Sequence, residues 1–240
     1  MLPMTAGSIV LGYNLPEVKD LKLSREAYVD IFMGKITKWN DPAIAKTNPG
    51  VNLPDKKITV IHRSDGSGTT SVFTQHLATI SPAWAGKVGS GKTVDWPTGV
   101  GAKGNEGVTA QILQTDGAIA YTEYGYAKQQ NISTAILQNK SGQFVPASSQ
   151  AAAKSLQAVK LPENLRAFIL DPTGADAYPI VTYTWILAYK KYDDPAKLQA
   201  FKGAMNWALT DGQKFSEELG YIPLPPTVVQ KVKTALDGIQ

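Results

Sequence analysis

The sequence predicts an α/β fold, and three observations carry that expectation. Short apolar runs bounded by turn residues alternate with stretches whose apolar residues recur at helical spacing. With 240 residues, 43% of them hydrophobic, the chain can bury one large core or two smaller ones. No internal repeat, low-complexity stretch or apolar run long enough to cross a bilayer breaks the pattern.

Taken in order, Ser8 to Tyr13 reads as a first strand that starts almost at the beginning of the chain. Ser24 can cap a helix reaching about Trp39, with Tyr28, Ile31, Phe32 and Ile36 on one face. Asp41 and Pro42 open a short helix, as cap and first-turn residue. Ile58 to Ile61 is a short buried strand. The next helix has the clearest pattern: Val72, Phe73, His76, Leu77 and Ile80 form one continuous stripe that stops before Pro82. Residues 81–104, rich in Gly, Pro and Ser, read as a long loop. A helix follows from Asn105 or Glu106 to about Thr115, stopped by Asp116-Gly117. Ala118 to Tyr121 is a strand, Glu123 to Gln130 a short helix, Thr134 to Gln138 a strand, and Gln150 to Ala158 a helix. Residues 160–178 are the expected crossing between two lobes. Tyr178 to Tyr189 reads as one long strand or a pair. Asp194-Pro195 caps a long helix to Leu209, a second helix spans Gly212 to Leu219, and the last follows Pro225-Pro226 with Val228, Val229, Val232 and Leu236 inward.

Composition excludes several functions. The chain has no cysteine, so thiolate metal sites, disulfides and cysteine nucleophiles are out. His62 and His76 are its two histidines, too few for a histidine-rich metal site, and no metal or cofactor is expected. The net charge of +4 is spread without a basic run longer than a Lys-Lys pair, which argues against nucleic-acid binding.

Chemistry concentrates after the strand at 58–61. Arg63 sits at the strand's carboxyl end, and Asp65, Gly66, Ser67, Gly68, Thr69 and Thr70 lead into the helix. The first N–H groups of a helix have no internal partner, and the helix dipole adds positive potential there. Gly66 and Gly68 let backbone approach an anion closely. Ser67, Thr69 and Thr70 offer hydroxyl donors, and Arg63 a planar fork suited to two oxygens of one anion, with Asp65 placed to steady it. The competing reading is a plain capping turn, with Ser67 or Thr69 as cap and Arg63 in a surface ion pair.

Two further glycine motifs are discounted. Gly86 to Thr93 matches the P-loop pattern, but no strand precedes it and Pro97 and Gly99 forbid a helix after it. Gly99 to Gly104 matches a dinucleotide fingerprint, again with no preceding strand, and reads better as a loop near a ligand cleft. His76 is expected to be packed, His62 to line the cleft, and Tyr121, Tyr124 and Tyr126 to serve packing and surface.

At Arg63-Ser-Asp-Gly-Ser-Gly-Thr-Thr70 the chain resembles the phosphate-binding proteins of ABC-type phosphate importers, the PstS family. The likeness extends to Phe32-Met-Gly-Lys-Ile-Thr-Lys-Trp-Asn-Asp-Pro42, Val88-Gly-Ser-Gly-Lys92, Gly101-Ala-Lys-Gly-Asn-Glu-Gly-Val108, Gly117-Ala-Ile-Ala-Tyr-Thr-Glu-Tyr124 and Ala177-Tyr-Pro-Ile180, and runs in order along nearly the whole chain. The resemblance implies a two-lobed, periplasmic-binding-protein-like type II fold. It implies a second lobe at about 6–165 and, in 166–240, a crossover and the carboxyl-terminal part of the first lobe. It also implies that Arg63, Ser67, Gly68 and Thr69 bind inorganic phosphate, with Asp65, Gly66 and Thr70 supporting them. A non-enzymatic monomer is expected, outside the cytoplasm, handing phosphate to a membrane permease.

Members of that family carry additional chain upstream, with a signal peptide and most of the first lobe. The start Met1-Leu2-Pro3-Met4-Thr5 has neither a basic region nor a cleavage site, so a truncated start is expected, or a partner that supplies the missing half. Within the loop, Asp65 is the one possible acceptor for a phosphate proton, so weak and poorly discriminating binding is expected of this chain by itself. The alternative function is a phosphatase or phosphotransferase, for which no nucleophile–base pair or metal carboxylate cluster stands at convincing spacing.

Overall fold

The computed structural model describes the chain from Met1 to Gln240. In chain order the strands are β1 (Leu2–Tyr13), β2 (Lys22–Leu23), β3 (Thr59–Arg63), β4 (Val100–Ala102), β5 (Ala118–Glu123), β6 (Ser133–Thr134), β7 (Ile136–Gln138), β8 (Phe144–Val145) and β9 (Val181–Ile186). The helices are α1 (Arg25–Phe32), α2 (Pro42–Ala45), α3 (Gly68–Ile80), α4 (Pro82–Lys87), α5 (Gly104–Gln114), α6 (Tyr124–Gln129), α7 (Ser149–Gln157), α8 (Pro195–Ala208) and α9 (Pro226–Asp237). The expected α/β alternation is present, and no helix is long and apolar enough to cross a membrane.

The main sheet runs β4-β3-β5-β1-β6, with β9 also on β1. Strand β3 is parallel to β4 and β5, while β1 is antiparallel to β5, β6 and β9. The long β1 works in two halves. Leu2 to Ser8 pair with β9, and Ile9 to Tyr13 pair with β5. The sequence reading caught only the second half, because Pro3, Thr5 and Gly7 dilute the strand pattern of the first. A small second sheet joins β2, β7 and β8. Trp39, Trp84, Tyr28, Tyr121, Tyr178, Phe32 and Phe73 are fully buried between these layers.

Several expected boundaries move. Helix α1 stops at Phe32, since Gly34 turns the chain at φ +73°. Ile36 and Trp39 are still buried, but in a returning segment where the Trp39 amide donates to Lys56 O at 2.9 Å and Nε1 to Gly117 O at 3.0 Å. Residues 81–104 are not one loop. Ser81 caps α4 with Pro82 in its first turn, and β4 adds to the sheet edge beside β3. The stretch 134–138 divides between two sheets as β6 and β7. The expected helix at 212–219 is a 3₁₀ turn at Asp211–Phe215. Within residues 178–189 there is a single strand, β9, at Val181–Ile186. Segment 160–178 holds no helix or extended ladder, only a bridge from Leu170 to Ile180. Helix α8 has no buried residue, and Leu187, Tyr189, Trp207, Phe215 and Leu219 stand exposed in the same carboxyl-terminal third.

Candidate functional site

Strand β3 delivers Arg63 to the sheet's carboxyl edge, and five residues later α3 begins at Gly68. The turn between them is fixed from several directions. Ser64 N donates to Ala102 O at 3.0 Å and Ser67 N to Lys92 O at 2.9 Å. Ser67 is the N-cap, its Oγ accepting the Thr70 amide at 3.2 Å. The capping role takes one lone pair of Oγ and leaves the hydroxyl hydrogen available. Ser67 Oγ meets no imidazole or carboxylate, so it has no base to make it a nucleophile.

The amides of Gly68 and Thr69 donate to nothing in the chain, as expected for the first turn of a helix. No acidic side chain occupies that first turn, so the positive end of a 13-residue helix is left unneutralised. Side chains would find open space at Gly66 and Gly68, which leaves the approach to the amides clear.

Arg63 is 11% exposed and held as a fork. Nε donates to Asp65 Oδ1 at 2.8 Å, Nη2 to Asp65 Oδ2 at 2.6 Å, and Nη1 to Asn105 Oδ1 at 3.2 Å. A guanidinium carries five N–H donors, so one on Nη1 and one on Nη2 remain for a ligand. Asp65 is committed: besides Arg63, its Oδ1 accepts the Gly104 amide at 3.1 Å. The bonds from Arg63, then that amide, hold its carboxyl well below the usual carboxylate range. Asp65 thus steadies the fork, with two hydrogen bonds on Oδ1 and one on Oδ2.

The sequence reading missed the supports supplied from elsewhere in the chain. The Tyr121 hydroxyl lies 2.7 Å from Thr70 Oγ1 and accepts the Arg63 amide at 3.0 Å, and Tyr121 is fully buried. Thr70 is accordingly engaged inside, while Thr69 stays partly exposed beside the free amides. The two discounted glycine motifs turn out to buttress the turn. Lys92 at the end of the P-loop-like stretch supplies the carbonyl under Ser67. The Gly99–Gly104 stretch contains β4 itself, where Gly101 passes so close to Ser64 that a Cβ would lie 3.0 Å from its Cβ. Gly104, at φ +70°, then presents its amide to Asp65. A run of tightly packed backbone reads as loop by composition, which is why β4 escaped notice.

His76 is packed as expected, its Nε2 2.8 Å from the Tyr28 hydroxyl. His62 is half-buried and stacks on Trp96 at 5.0 Å between ring centres. Tyr126 donates to Glu106 Oε1 at 3.0 Å near the surface. A concavity of about 710 Å³ lies at the carboxyl end of α3 and includes Arg25, Asp30 and Lys46, but none of residues 63–70.

The family model described as PBP superfamily domain matches residues 2–211. The phosphate-binding protein PstS of Pasteurella multocida is 45% identical over 236 residues, covering 96% of this chain and 68% of that protein. That of Methanocaldococcus jannaschii is 44% identical over 261 residues, covering 99% and 67%. The chain thus spans about two thirds of the length of these relatives. Among solved structures, a high-affinity periplasmic phosphate-binding protein bound with phosphate superposes with a TM-score of 0.75 at 18% identity, over 97% of this chain and 70% of that one. The phosphate-binding protein of Stenotrophomonas maltophilia gives 0.68 at 18% identity, over 97% and 69%. At such identity these two likenesses speak for the fold, a two-lobed type II architecture of which this chain holds about 70%.

Proposed function

The chain belongs to the PBP superfamily and, within it, to the PstS phosphate-binding proteins, and from that premise we propose that it binds inorganic phosphate at the opening of α3 as the solute-binding component of an ABC-type phosphate importer. It is a binding protein rather than an enzyme, it works outside the cytoplasm, and its partner is the importer's membrane permease. A monomer that ignores nucleic acid completes this reading. Residues 6–165 form the second lobe, and 166–240 the crossover with the carboxyl-terminal part of the first.

In this reading Arg63, Ser67, Gly68 and Thr69 hold the ion. The two spare guanidinium hydrogens take two phosphate oxygens, the free amides of Gly68 and Thr69 take a third position, and the hydroxyls of Ser67 and Thr69 complete the set. Asp65, Gly66 and Thr70 support them. The guanidinium and the helix amides are held in place before the ion arrives, so little ordering entropy is lost on binding. The reading invokes no metal or cofactor.

The observation that carries this reading is the coincidence of unused donors. Two guanidinium hydrogens of Arg63 and the two helix amides five and six residues further on have nothing in the chain to accept them. Calorimetric titration of the chain with sodium phosphate tests it. Saturable binding of one ion per chain, accompanied by a phosphate-dependent rise in melting temperature, is the expected result. A flat titration at millimolar phosphate would refute it.

A further inference from the structure

In the two-lobe division given above, the chain passes between lobes along β1 and along the crossover at 160–178, and the structure joins these passages at one place. Strand β1 exchanges β9 for β5 between Ser8 and Ile9. The Ile9 amide donates to Ile180 O at 3.0 Å, just before β9 begins. Ile180 is in turn bridged to Leu170 of the crossover.

The crossover is held by different parts of the chain on the two sides of that junction. Before it, Lys231 of α9 donates to Leu161 O at 2.6 Å, and Trp185 Nε1 of β9 donates to Leu165 O at 3.0 Å. After it the partners lie in the second lobe. Asn139 Nδ2 donates to Gly174 O at 3.0 Å, Ala175 O at 2.8 Å and Ala177 O at 3.1 Å, and Ser155 Oγ donates to Tyr178 O at 2.7 Å. The change of allegiance falls between neighbours, Leu170 and Asp171.

Asp171 is the first residue on the second-lobe side, and Arg25 in the first turn of α1 grips it. Nη1 donates to Oδ1 at 2.6 Å and Nη2 to Oδ2 at 2.8 Å, a bidentate fork on a carboxylate that is 6% exposed. The backbone of Asp171 is left-handed, at φ +50°, and Pro172 follows it. That conformation is costly for a residue with a Cβ, and it persists where the surroundings hold it. The ion pair supplies that hold, and the next hydrogen-bonded anchor is Asn139 at Gly174.

A cleft of about 400 Å³ lies between the parts that meet here. Gly68 and Thr69 of α3 stand on one wall, and Thr182 and Trp185 of β9 with Phe168 of the crossover on the other. At α6 the same two parts meet backbone against backbone, where a Cβ on Gly220 would lie 2.3 Å from the Gly125 Cα, with one exposed bond from Lys128 Nζ to Glu217 O nearby. A contact with so little side-chain interlock resists rolling weakly, so the cleft's width depends on the stiffness of the junction.

We propose that the Arg25–Asp171 pair is a latch that confines bending of the crossover to Leu170–Asp171 and so limits the range of widths the cleft beside α3 takes up. The inference rests on the two-lobe division in the functional reading and not on the identity of the anion. Neither residue belongs to the anion site; both act through the backbone they hold. Without the pair, residues 171–173 join the flexible stretch up to the Asn139 anchor, and one sharp pivot becomes a loose one.

The test measures the distance between spin labels on α3 and α8, together with amide hydrogen exchange, in the whole chain. The sequence has no cysteine, so Thr79→Cys and Gln199→Cys place one label on each side. Arg25→Met keeps the apolar stem and removes the fork, and Asp171→Asn keeps the size of the side chain and its tolerance of a left-handed backbone. In either variant the width of the distance distribution should grow about twofold, and exchange at Leu170, Asp171 and Thr173 should rise about tenfold or more, with α3 and α8 unchanged. The double variant should be no broader than either single one, since each removes the same pair. An unchanged distribution in both single variants overturns the inference even where the melting temperature falls, because the pair is then merely structural. Exchange that rises evenly along the chain, or broadening that adds in the double variant, overturns it too. Calorimetry with phosphate keeps the two readings apart: a wild-type chain that binds no phosphate overturns the functional reading, while the distances still decide on the latch.

Discussion

The hydroxyl of Tyr121 lies 2.7 Å from that of Thr70, joining the middle of the sheet to the first turn of α3. The same oxygen accepts the Arg63 amide at 3.0 Å, so one buried phenol sets the end of β3 and the start of the helix together. Removing it should loosen the cradle without touching any ligand donor. Tyr121→Phe leaves a buried hydroxyl and amide unpaired, a loss of about 1–3 kcal/mol. Chemical denaturation should report that loss, and titration should show phosphate affinity reduced about threefold to tenfold.

Arg63→Ala removes the two spare donors and the one positive charge of the turn. Hydrogen bonds to a charged group contribute about 1.5–3 kcal/mol each. Phosphate affinity should therefore fall about a hundredfold or more. Arg63→Lys should recover only part of it, because an ammonium cannot hold Asp65 and present a planar edge at the same time. Calorimetry of both variants checks this, and unchanged binding in Arg63→Ala would mean the ion sits elsewhere.

His76 makes stability depend on pH. Burial pulls its imidazole down to about 4 in the fold, against an ordinary value near 6.5. Between those values the unfolded chain takes up a proton that the folded chain refuses. The stability is therefore intact above about pH 6.5 and declines as the pH falls toward 4, by up to about 1.4 kcal/mol per pH unit for this group. His76→Gln, which can still meet the Tyr28 hydroxyl but does not titrate, should flatten the decline. Urea midpoints for both proteins at pH 7.5 and pH 5 measure the difference.

Two glycines should respond in opposite directions. Gly220, at φ +80°, packs so tightly that a Cβ would fall on the Gly125 Cα of α6, so Gly220→Ala should cost about 2 kcal/mol or more through strain and overpacking. Gly203 lies in α8 with open space around it, and Gly203→Ala should stabilise by up to about 1 kcal/mol through helix propensity. Melting temperatures of the two variants test both expectations.

The fold class, most element positions and the loop at 63–70 are legible in the sequence because their causes are local. Helical spacing over Phe73, His76 and Leu77, the Ser67 cap and the glycines of the turn all act within a few residues of one another. The errors fall where a distant partner decides. The apolar spacing that predicts α1 continues past Gly34 to Trp39, but the backbone turns at Gly34. Val100–Ala102 has no strand pattern of its own, and only its pairing with β3 makes it a strand.

What the sequence determined by itself is that an arginine, a capping serine and two glycines stand between a strand and a helix, a chemistry written in eight consecutive residues. What only the tertiary structure decided is how that turn is braced and what faces it. Tyr121, Asn105 and Gly104 reach Arg63 and Asp65 across 58, 42 and 39 residues of sequence. Trp185 comes into the same cleft as Gly68 and Thr69 because β1 runs on from β5 to β9. Helix caps and turns are set by contacts between near neighbours, whereas the occupants of a cleft are set by sheet order, which no local pattern encodes.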